Sequence, residues 1–244
     1  MTATLDMTIR EVVAADYRTA AVFQGFGIDF CCRGHQTIEQ GCRTAGINRE
    51  RLLAELALAT TDPLDEGHAF NTWDLRTLAS HIASTHHAFV RASTPPLLLH
   101  TKKIAEVHGA RHTELPHIAE LFGRVALELT EHMEKEERIM FPYIGALEDA
   151  ARGDGPAPHA PFGSILNVIH KMEAEHQFVG DAMAEIRHLT NDFQPPRDAC
   201  TTYRVCLQEL DAFERDLHQH VHLENNLLFP EAARVEASLA TRRN

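Results

Sequence analysis

Positive charge is scarce in this chain of 244 residues. Its 23 Lys and Arg residues are outnumbered by 35 Asp and Glu residues, which gives a net charge of −12. Nucleic acids and anionic membranes are bound through clustered Lys and Arg side chains, and no such patch stands out in the sequence. We therefore predict no nucleic-acid partner and no membrane partner.

Long apolar runs are also missing, and we expect no secretory leader. No run of about 18 apolar residues occurs, and the N-terminal sequence MTATLDMTIREVVAADY has no basic segment followed by an apolar one. The five cysteines have no framework spacing, so we expect thiols in a reducing compartment rather than disulfides. These features predict a soluble, cytoplasmic protein.

Helical periodicity dominates, and no strand pattern competes with it. Residues 1–60 carry helix start signals, because Thr8 and Glu11 have capping-box spacing and Asn48 can cap a short helix. Residues 61–72 are polar, contain Pro and Gly, and predict a linker. Residues 73–240 hold four long periodic segments, which run from Asp74 to about Val107 with a disturbance at Pro95 and Pro96, from Glu114 to Ala150, from Phe162 to Leu189, and from Asp198 to about Phe229. This order predicts an all-α protein, an up-and-down four-helix bundle preceded by a small helical, cysteine-containing domain.

The second and fourth segments contain an internal repeat. HMEKEERIMFP, from His132 to Pro142, aligns without gaps to HVHLENNLLFP, which begins at His220, so H-x-x-x-E-x-x-x-x-F-P occurs twice. The repeat extends to the preceding helix, since His87 lies 45 residues before His132 and His176 lies 44 residues before His220. Two helical hairpins therefore supply the same kinds of side chain.

Periodicity predicts which way these residues point. Steps of four and three residues trace one apolar stripe along each helix, and the repeated His and Glu residues lie within the stripes. The stripes are Ile118, Phe122, Val125, Leu129, His132, Glu136 and Met140; Ile165, Ile169, Met172, His176, Val179, Met183 and Ile186; and Cys206, Leu210, Phe213, Leu217, His220, Glu224 and Leu228.

Glu136 and Glu224 on these stripes predict a bound cation. A buried carboxylate is costly unless it is paired or bound to metal, and no Lys or Arg lies on the stripes. Residues four apart on a helix have Cβ atoms about 5–6 Å apart, so each H-x-x-x-E pair can present an imidazole and a carboxylate to one site. Facing helices of a bundle bring such ligands together.

Ligand arithmetic predicts a reactive di-iron site. Two six-coordinate metals offer about twelve positions. Four histidines take four, two bridging glutamates take four more, and an oxo or hydroxo bridge takes two, so about one exchangeable position remains on each metal. The imidazole and carboxylate set favours iron or manganese over tetrahedral zinc, and no H-E-x-x-H motif is present. We predict two non-haem iron ions per chain with such a bridge.

Each element alone has a simpler explanation. A single histidine on an apolar face is more often an ordinary core residue, and one H-x-x-x-E pair is routine, so the metal prediction depends on their repetition. In the first helix His86 and His87 are adjacent, and the pattern leaves both open. Glu173 and His176 form the E-x-x-H pair of ferritin-type sites, but in one copy only, so we predict that Glu173 is not a ligand.

Five segments in this order resemble the repair-of-iron-centres family. They are IDFCCRGHQTIEQGC at 28–42, HMEKEERIMFP at 132–142, EAEH at 173–176, PPRDACTTY at 195–203 and HVHLENNLLFP at 220–230. The resemblance implies a hemerythrin-like di-iron bundle behind a small cysteine domain. It favours His87 over His86 and implies the iron ligands His87, His132, Glu136, His176, His220 and Glu224. The chain departs from the family pattern at Arg33, where many members have Gly, and at His86, where members have Tyr.

The resemblance also implies a function, the repair of iron-sulfur clusters damaged by nitrosative or oxidative stress. Damaged iron-sulfur proteins would be the partners, and Cys31 and Cys32 would be thiols for iron transfer, since vicinal cysteines cannot easily close a relaxed disulfide. The alternatives are a protein that binds or reduces nitric oxide and an oxygen-binding hemerythrin, the latter disfavoured by the cysteine domain. A homodimer is compatible with all of these.

We further predict that Glu128 lies outside the ligands. It is four residues before His132 but has no counterpart in the repeat, and Leu129 already occupies the stripe. A carboxylate at this position can orient an imidazole or relay protons.

Overall fold

The computed structural model describes residues 3–61 and 70–242 and divides the chain into two compact units. One unit comprises Met1–Leu78 with Val221–Asn244, and the other comprises Ala79–His220. Most of the predicted linker, residues 62–69, lies outside the described residues. The domain boundaries drawn from the sequence therefore remain a prediction.

Short capped helices make up the N-terminal part of the first unit. They are α1 (Ile9–Ala15), α2 (Arg18–Gly25), α3 (Ile38–Ala45) and α4 (Arg49–Ala59). The predicted capping box is confirmed, because the Thr8 side chain accepts the Glu11 N–H while the Glu11 carboxylate accepts the Thr8 N–H. Asn48 caps α4 as predicted, by accepting the N–H of Arg51.

Four long helical segments follow, and we call them the first to fourth bundle helices. The first is formed by α5 (Leu75–His81), a π-helical segment Ile82–His87 and α6 (Ala88–His108); the second by α7 (Leu115–Lys135), a π segment Glu136–Met140 and α8 (Phe141–Arg152); the third by α9 (Ile165–Leu189); and the fourth by α10 (Thr201–His222), a π segment Leu223–Leu228 and α11 (Phe229–Arg242). The predicted all-α fold class is confirmed: four long bundle helices are preceded in the sequence by a small helical part. Residues 3–61 and 70–242 contain no strand.

Two details of the predicted helices were wrong. An α-helix runs through Pro95 and Pro96, where we expected a disturbance. The fourth bundle helix continues to Arg242 instead of ending near Phe229. Pro230 does not stop the chain there, because the π segment Leu223–Leu228 directly before it carries the helix past the N–H that proline lacks.

All residues of the three predicted stripes are buried, which confirms the helical phase of each segment. Within the second unit, Phe122 and Phe213 meet edge to face with ring centroids 5.3 Å apart, so the second and fourth bundle helices pack through aromatic side chains. In the described part of the chain, no helix combines the length and apolar character needed to cross a membrane.

Candidate metal centre

Three of the four bundle helices change from α-helical to π-helical hydrogen bonding at the predicted ligands. The π segments contain His87, Glu136 and Glu224, one in each helix. Such segments are rare, and they occur frequently at functional sites because one wider turn redirects the side chains it carries. The backbone is therefore adjusted locally where chemistry was predicted.

The Phe-Pro pair of each repeat explains two of these π segments. Proline has no N–H to donate to the carbonyl four residues earlier, and its ring crowds that carbonyl. In both repeats the phenylalanine before proline donates its N–H to a carbonyl five residues back, Phe141 to Glu136 and Phe229 to Glu224. The wide turn thus begins at each predicted ligand glutamate.

Four histidines and Glu136 converge inside the unit Ala79–His220. Nε2 of His87 lies 3.2 Å from Nε2 of His220, and Nε2 of His132 lies 2.9 Å from Nε2 of His176. Oε2 of Glu136 belongs to both pairs, at 3.4 Å from His87 Nε2 and 3.3 Å from His132 Nε2. All five side chains are at most 1% exposed.

Two further carboxylates contact the outer ring nitrogen, Nδ1, of two of these histidines. Oε1 of Glu137 is 2.7 Å from His87 Nδ1, and Oε2 of Glu175 is 2.8 Å from His132 Nδ1. Burial opposes ionisation of Glu175, but hydrogen bonds from His132 and Lys135 outweigh it and lower the pKa of Glu175 to about 2. The pKa of Glu137 is lowered too, since burial is outweighed by bonds from His87 and Arg91.

These outer carboxylates determine which ring nitrogen faces the cluster. An ionised carboxylate only accepts hydrogen bonds, so Nδ1 of His87 and Nδ1 of His132 carry the protons. In the neutral rings the Nε2 lone pairs are then directed toward Glu136. A carboxylate on the outer nitrogen is the usual arrangement around metal-binding histidines, because it fixes both tautomer and ring orientation.

Glu224 is the sixth predicted ligand. It follows His220 by four residues in the fourth bundle helix, and its side chain is fully buried. Residues at this spacing share one face of a helix, so Glu224 lies on the face that carries His220.

The separations between these donor atoms fit a bound metal. Two nitrogens bound about 2.1 Å from one metal at right angles lie about 3 Å apart, close to the separations within the pairs His87–His220 and His132–His176. Ligand atoms of His87, Glu136 and His220 lie within 4.8 Å of one another, as do those of His132, Glu136 and His176. No Lys or Arg is buried among the described residues, so the buried carboxylates call for a different cation.

His86 lies outside the two groups. Its Nδ1 is 2.9 Å from Oδ1 of Asp216, and its ring stacks on His220 with centroids 5.8 Å apart and planes 7° from parallel. It therefore supports the ring of a predicted ligand, whereas Nε2 of His87 faces Glu136 and His220 directly.

Glu128 does not contact a predicted ligand histidine among the described residues. The carboxylate on His132 is Glu175, which comes from the third bundle helix, so the orienting position predicted for Glu128 is filled by Glu175. Glu128 is half-buried and lines a surface groove with Lys171, Glu175 and Phe178. A part for Glu128 in proton relay stays a prediction, as does the exclusion of Glu173.

Cys31 and Cys32 lie in the loop between α2 and α3. Cys31 is buried and Cys32 is half-buried, with 3.8 Å between the sulfur atoms. The hydrogen bond with Cys32, together with burial, raises the pKa of Cys31 well above that of a free thiol. Cys32 is thus the more accessible thiol of the pair.

The other three cysteines are also free thiols. Cys42 and Cys206 are buried, and burial raises the pKa of Cys206 to about 12, as expected of a core residue. Cys200 is exposed, and its sulfur lies 3.2 Å from Nε2 of His108.

Comparison with known proteins matches both parts of the chain. Residues 5–60 match the ScdA_N family, described as a domain of unknown function (DUF542), and residues 77–232 match the hemerythrin HHE cation binding domain. Proteins named iron-sulfur cluster repair protein YtfE, from Yersinia pestis (strain Pestoides F) and from Yersinia pseudotuberculosis serotype O:1b (strain IP 31758), are each 36% identical over 222 residues. These matches cover 90% of this chain and 93% of each relative.

Proposed function

The chain belongs to the family of iron-sulfur cluster repair proteins that join an ScdA_N domain to a hemerythrin domain, and we propose that it repairs damaged clusters by donating iron. The observation that carries the proposal is the convergence of four imidazoles on one buried carboxylate, Glu136. Imidazole and carboxylate ligands suit iron. The relatives of this chain are named as iron-sulfur cluster repair proteins.

Six residues would hold the iron. Glu136 is shared by both histidine pairs and would bridge two ions, one held on the side of His87 and one on the side of His132. Two ions per chain and an oxo or hydroxo bridge between them are part of the proposal. The proposed ligands are His87, His132, Glu136, His176, His220 and Glu224.

Bound iron would supply the metal that a damaged cluster has lost. The chain's own residues control how firmly it is held. Glu137 and Glu175 keep the Nδ1 protons of His87 and His132 in place, so the Nε2 atoms stay available as ligands. On the Nδ1 side of His87 the next group is Glu137, whose side chain is 32% exposed and bonded to Arg91.

Cys31 and Cys32 are proposed to take part in the transfer. Cys32 is half-buried and is the more exposed residue of the pair, and its sulfur lies 3.8 Å from that of the buried Cys31. Thiolates are the natural ligands of iron in clusters, which makes an adjacent thiol pair suitable for receiving iron on its way to an acceptor.

Transfer of labelled iron tests the proposal. The protein is loaded with isotopically labelled iron and mixed with an enzyme whose iron-sulfur cluster has been damaged by nitric oxide. A chelator that scavenges free iron is present. We expect label in the acceptor and recovery of its activity, and we expect Glu136→Ala to abolish both while Glu128→Ala retains them. An acceptor that recovers without acquiring label would contradict donation. Iron that stays bound while nitric oxide is consumed over many cycles would favour the alternative of a nitric oxide-reducing protein.

A further inference from the structure

A second group of metal-binding side chains lies apart from the histidines, in the loop after α2. Sγ of Cys31 is 3.3 Å from Oδ1 of Asp29 and 3.8 Å from Sγ of Cys32. One ligand atom from each of these three residues lies within 4.8 Å of the other two. Asp29 is not among the proposed ligands of the histidine site.

The loop holds these atoms in place without a metal. Oδ1 of Asp29 accepts the N–H groups of Cys31 and Cys32 at 3.0 and 2.9 Å. Asn226, in the same compact unit, donates from Nδ2 to the carbonyl of Phe30 at 3.2 Å. These bonds fix the backbone on both sides of the first sulfur, so the ligand atoms need little reordering on binding.

Gly34 lets the loop close around this arrangement. A Cβ atom there would meet the Phe30 carbonyl oxygen at 2.8 Å, Oδ1 of Asn226 at 3.0 Å and Cβ of Arg10 at 3.3 Å. Backbone atoms cannot move aside as a flexible side chain can, so the chain needs glycine here. The close packing supports a rigid loop rather than an adaptable one.

The distances match those of a tetrahedral site. With metal–sulfur bonds of about 2.3 Å, two sulfurs on a tetrahedral metal lie about 3.8 Å apart. With a metal–oxygen bond of about 2.0 Å, sulfur and oxygen lie about 3.5 Å apart. The corresponding separations here are 3.8 Å for Cys31–Cys32 and 3.3 Å for Cys31–Asp29. One metal can therefore bind all three atoms with small movements.

We propose that Asp29, Cys31 and Cys32 form a separate site for one thiophilic divalent cation, with a fourth position left open for exchange. Binding replaces two S–H bonds by two metal–sulfur bonds, releases two protons to water and changes no oxidation state. Three protein ligands and one open position characterise sites that exchange a ligand rather than structural ones. The identification of the cation as ferrous iron in transit rests on the proposed function, whereas cation binding itself does not.

The variant Asp29→Asn tests whether Asp29 binds the metal or only holds the loop through its hydrogen bonds. The amide oxygen of asparagine can accept the same N–H bonds from Cys31 and Cys32, but it has no negative charge and is a poorer ligand. Cobalt(II) is the probe, because thiolate ligands give it charge-transfer absorption, and it is added without oxygen to protein whose histidine site is already loaded with iron.

We expect one cobalt ion per chain with a thiolate band, a loss of affinity of at least about tenfold in Asp29→Asn, and no band in Cys32→Ser. Cys42→Ser is the matched control, since Cys42 lies in the same unit outside the cluster, and it should bind as wild type does. Circular dichroism and bound iron should be unchanged in all variants. No thiolate band in the wild-type protein, or undiminished affinity in folded Asp29→Asn, would overturn the proposal.

The labelled-iron assay distinguishes failure of this site from failure of the proposed function. If cobalt does not bind here while labelled iron still reaches the acceptor, donation stands without this site. If cobalt binds as expected while no label is transferred, the metal site stands and iron donation does not.

Discussion

Replacing Glu175 should weaken iron binding although Glu175 is not a ligand. Its carboxylate joins His132 Nδ1, at 2.8 Å, to the ammonium group of Lys135, at 2.6 Å. In Glu175→Gln the amide oxygen can still accept the Nδ1 proton, so the ring keeps its tautomer. The negative charge behind the ring is lost, and the amide nitrogen cannot accept from Lys135 as the second carboxylate oxygen does. In Glu175→Ala the acceptor is gone as well, and the imidazole is free to rotate or to exchange tautomers.

The magnitude follows from what each change removes. Loss of an outer-sphere partner typically costs about 10- to 100-fold in metal affinity, or about 1.4–2.8 kcal/mol. The Glu175 side chain is only 11% exposed, so water can compensate only in part for the loss of its negative charge. We therefore expect about tenfold weaker iron binding for Glu175→Gln and about 100-fold for Glu175→Ala.

Chelator competition measures this change, and Glu128 provides the matched control. Glu128 lines the same groove as Glu175 but bonds to no predicted ligand among the described residues. Glu128→Gln and Glu128→Ala should therefore bind iron as the wild type does, with helix content constant throughout. Equal losses at Glu128 and Glu175, or wild-type affinity in Glu175→Ala, would refute the reasoning from hydrogen bonds to metal affinity.

The other predictions concern iron content and thiols. Elemental analysis of reconstituted protein should give two iron ions per chain, and absorption should include the charge-transfer bands of an oxo-bridged ferric pair; one iron, or preference for zinc, would argue against a di-iron centre. Glu136→Ala should lose most of the iron, because one carboxylate serves both histidine pairs, and full retention would exclude it as a shared ligand. Cys31→Ser combined with Cys32→Ser should keep iron content and helicity but repair clusters more slowly, and unchanged repair would remove these thiols from the mechanism. Mass spectrometry after alkylation at neutral pH should find Cys200 modified well before Cys206, whose pKa burial raises to about 12, and the reverse order would contradict the buried environment.

Sequence periodicity was sufficient to predict the inner face of the bundle. A ligand that replaces an apolar residue inside a stripe must point into the core, and the repeat supplied two such stripes independently. His132, Glu136, His176, His220 and Glu224 are accordingly all buried. The first bundle helix has a less regular stripe, because the π segment Ile82–His87 changes the helical phase where the ligand lies.

The outer carboxylates could not be predicted in this way. Glu137 and Glu175 are each adjacent in sequence to a stripe residue, so periodicity assigns them to the side of the helix. Their partners, His87 and His132, are on neighbouring helices. Distances between helices depend on rotation and axial offset, neither of which follows from one sequence. The spacing of Glu128 along its own helix makes it a candidate partner of His132, whereas the carboxylate that contacts His132 is Glu175 of the next helix.

The two copies of the repeat diverge at the positions that surround the ligand glutamate. In the first copy, Glu134 and Arg138 are exposed. Their counterparts in the second copy, His222 and Asn226, are buried and bonded to each other at 2.9 Å, and Asn226 also donates to the carbonyl of Phe30.

Burial explains this divergence chemically. The ring of His222 lies against Tyr17 and Phe30, with centroids 5.2 and 6.2 Å away, and burial lowers its pKa to about 3, so the ring stays neutral. Charged side chains like those of the first copy would be costly to bury there. A neutral His-Asn pair fills the same positions, and its two side chains are joined by a hydrogen bond. One repeat thus keeps a solvent-facing surface on its outer side, while the other carries the attachment point for the loop of Cys31 and Cys32. The sequence alone shows that Glu134 and Arg138 of the first copy are replaced by the neutral His222 and Asn226 in the second. This replacement indicates that these positions are buried in the second copy.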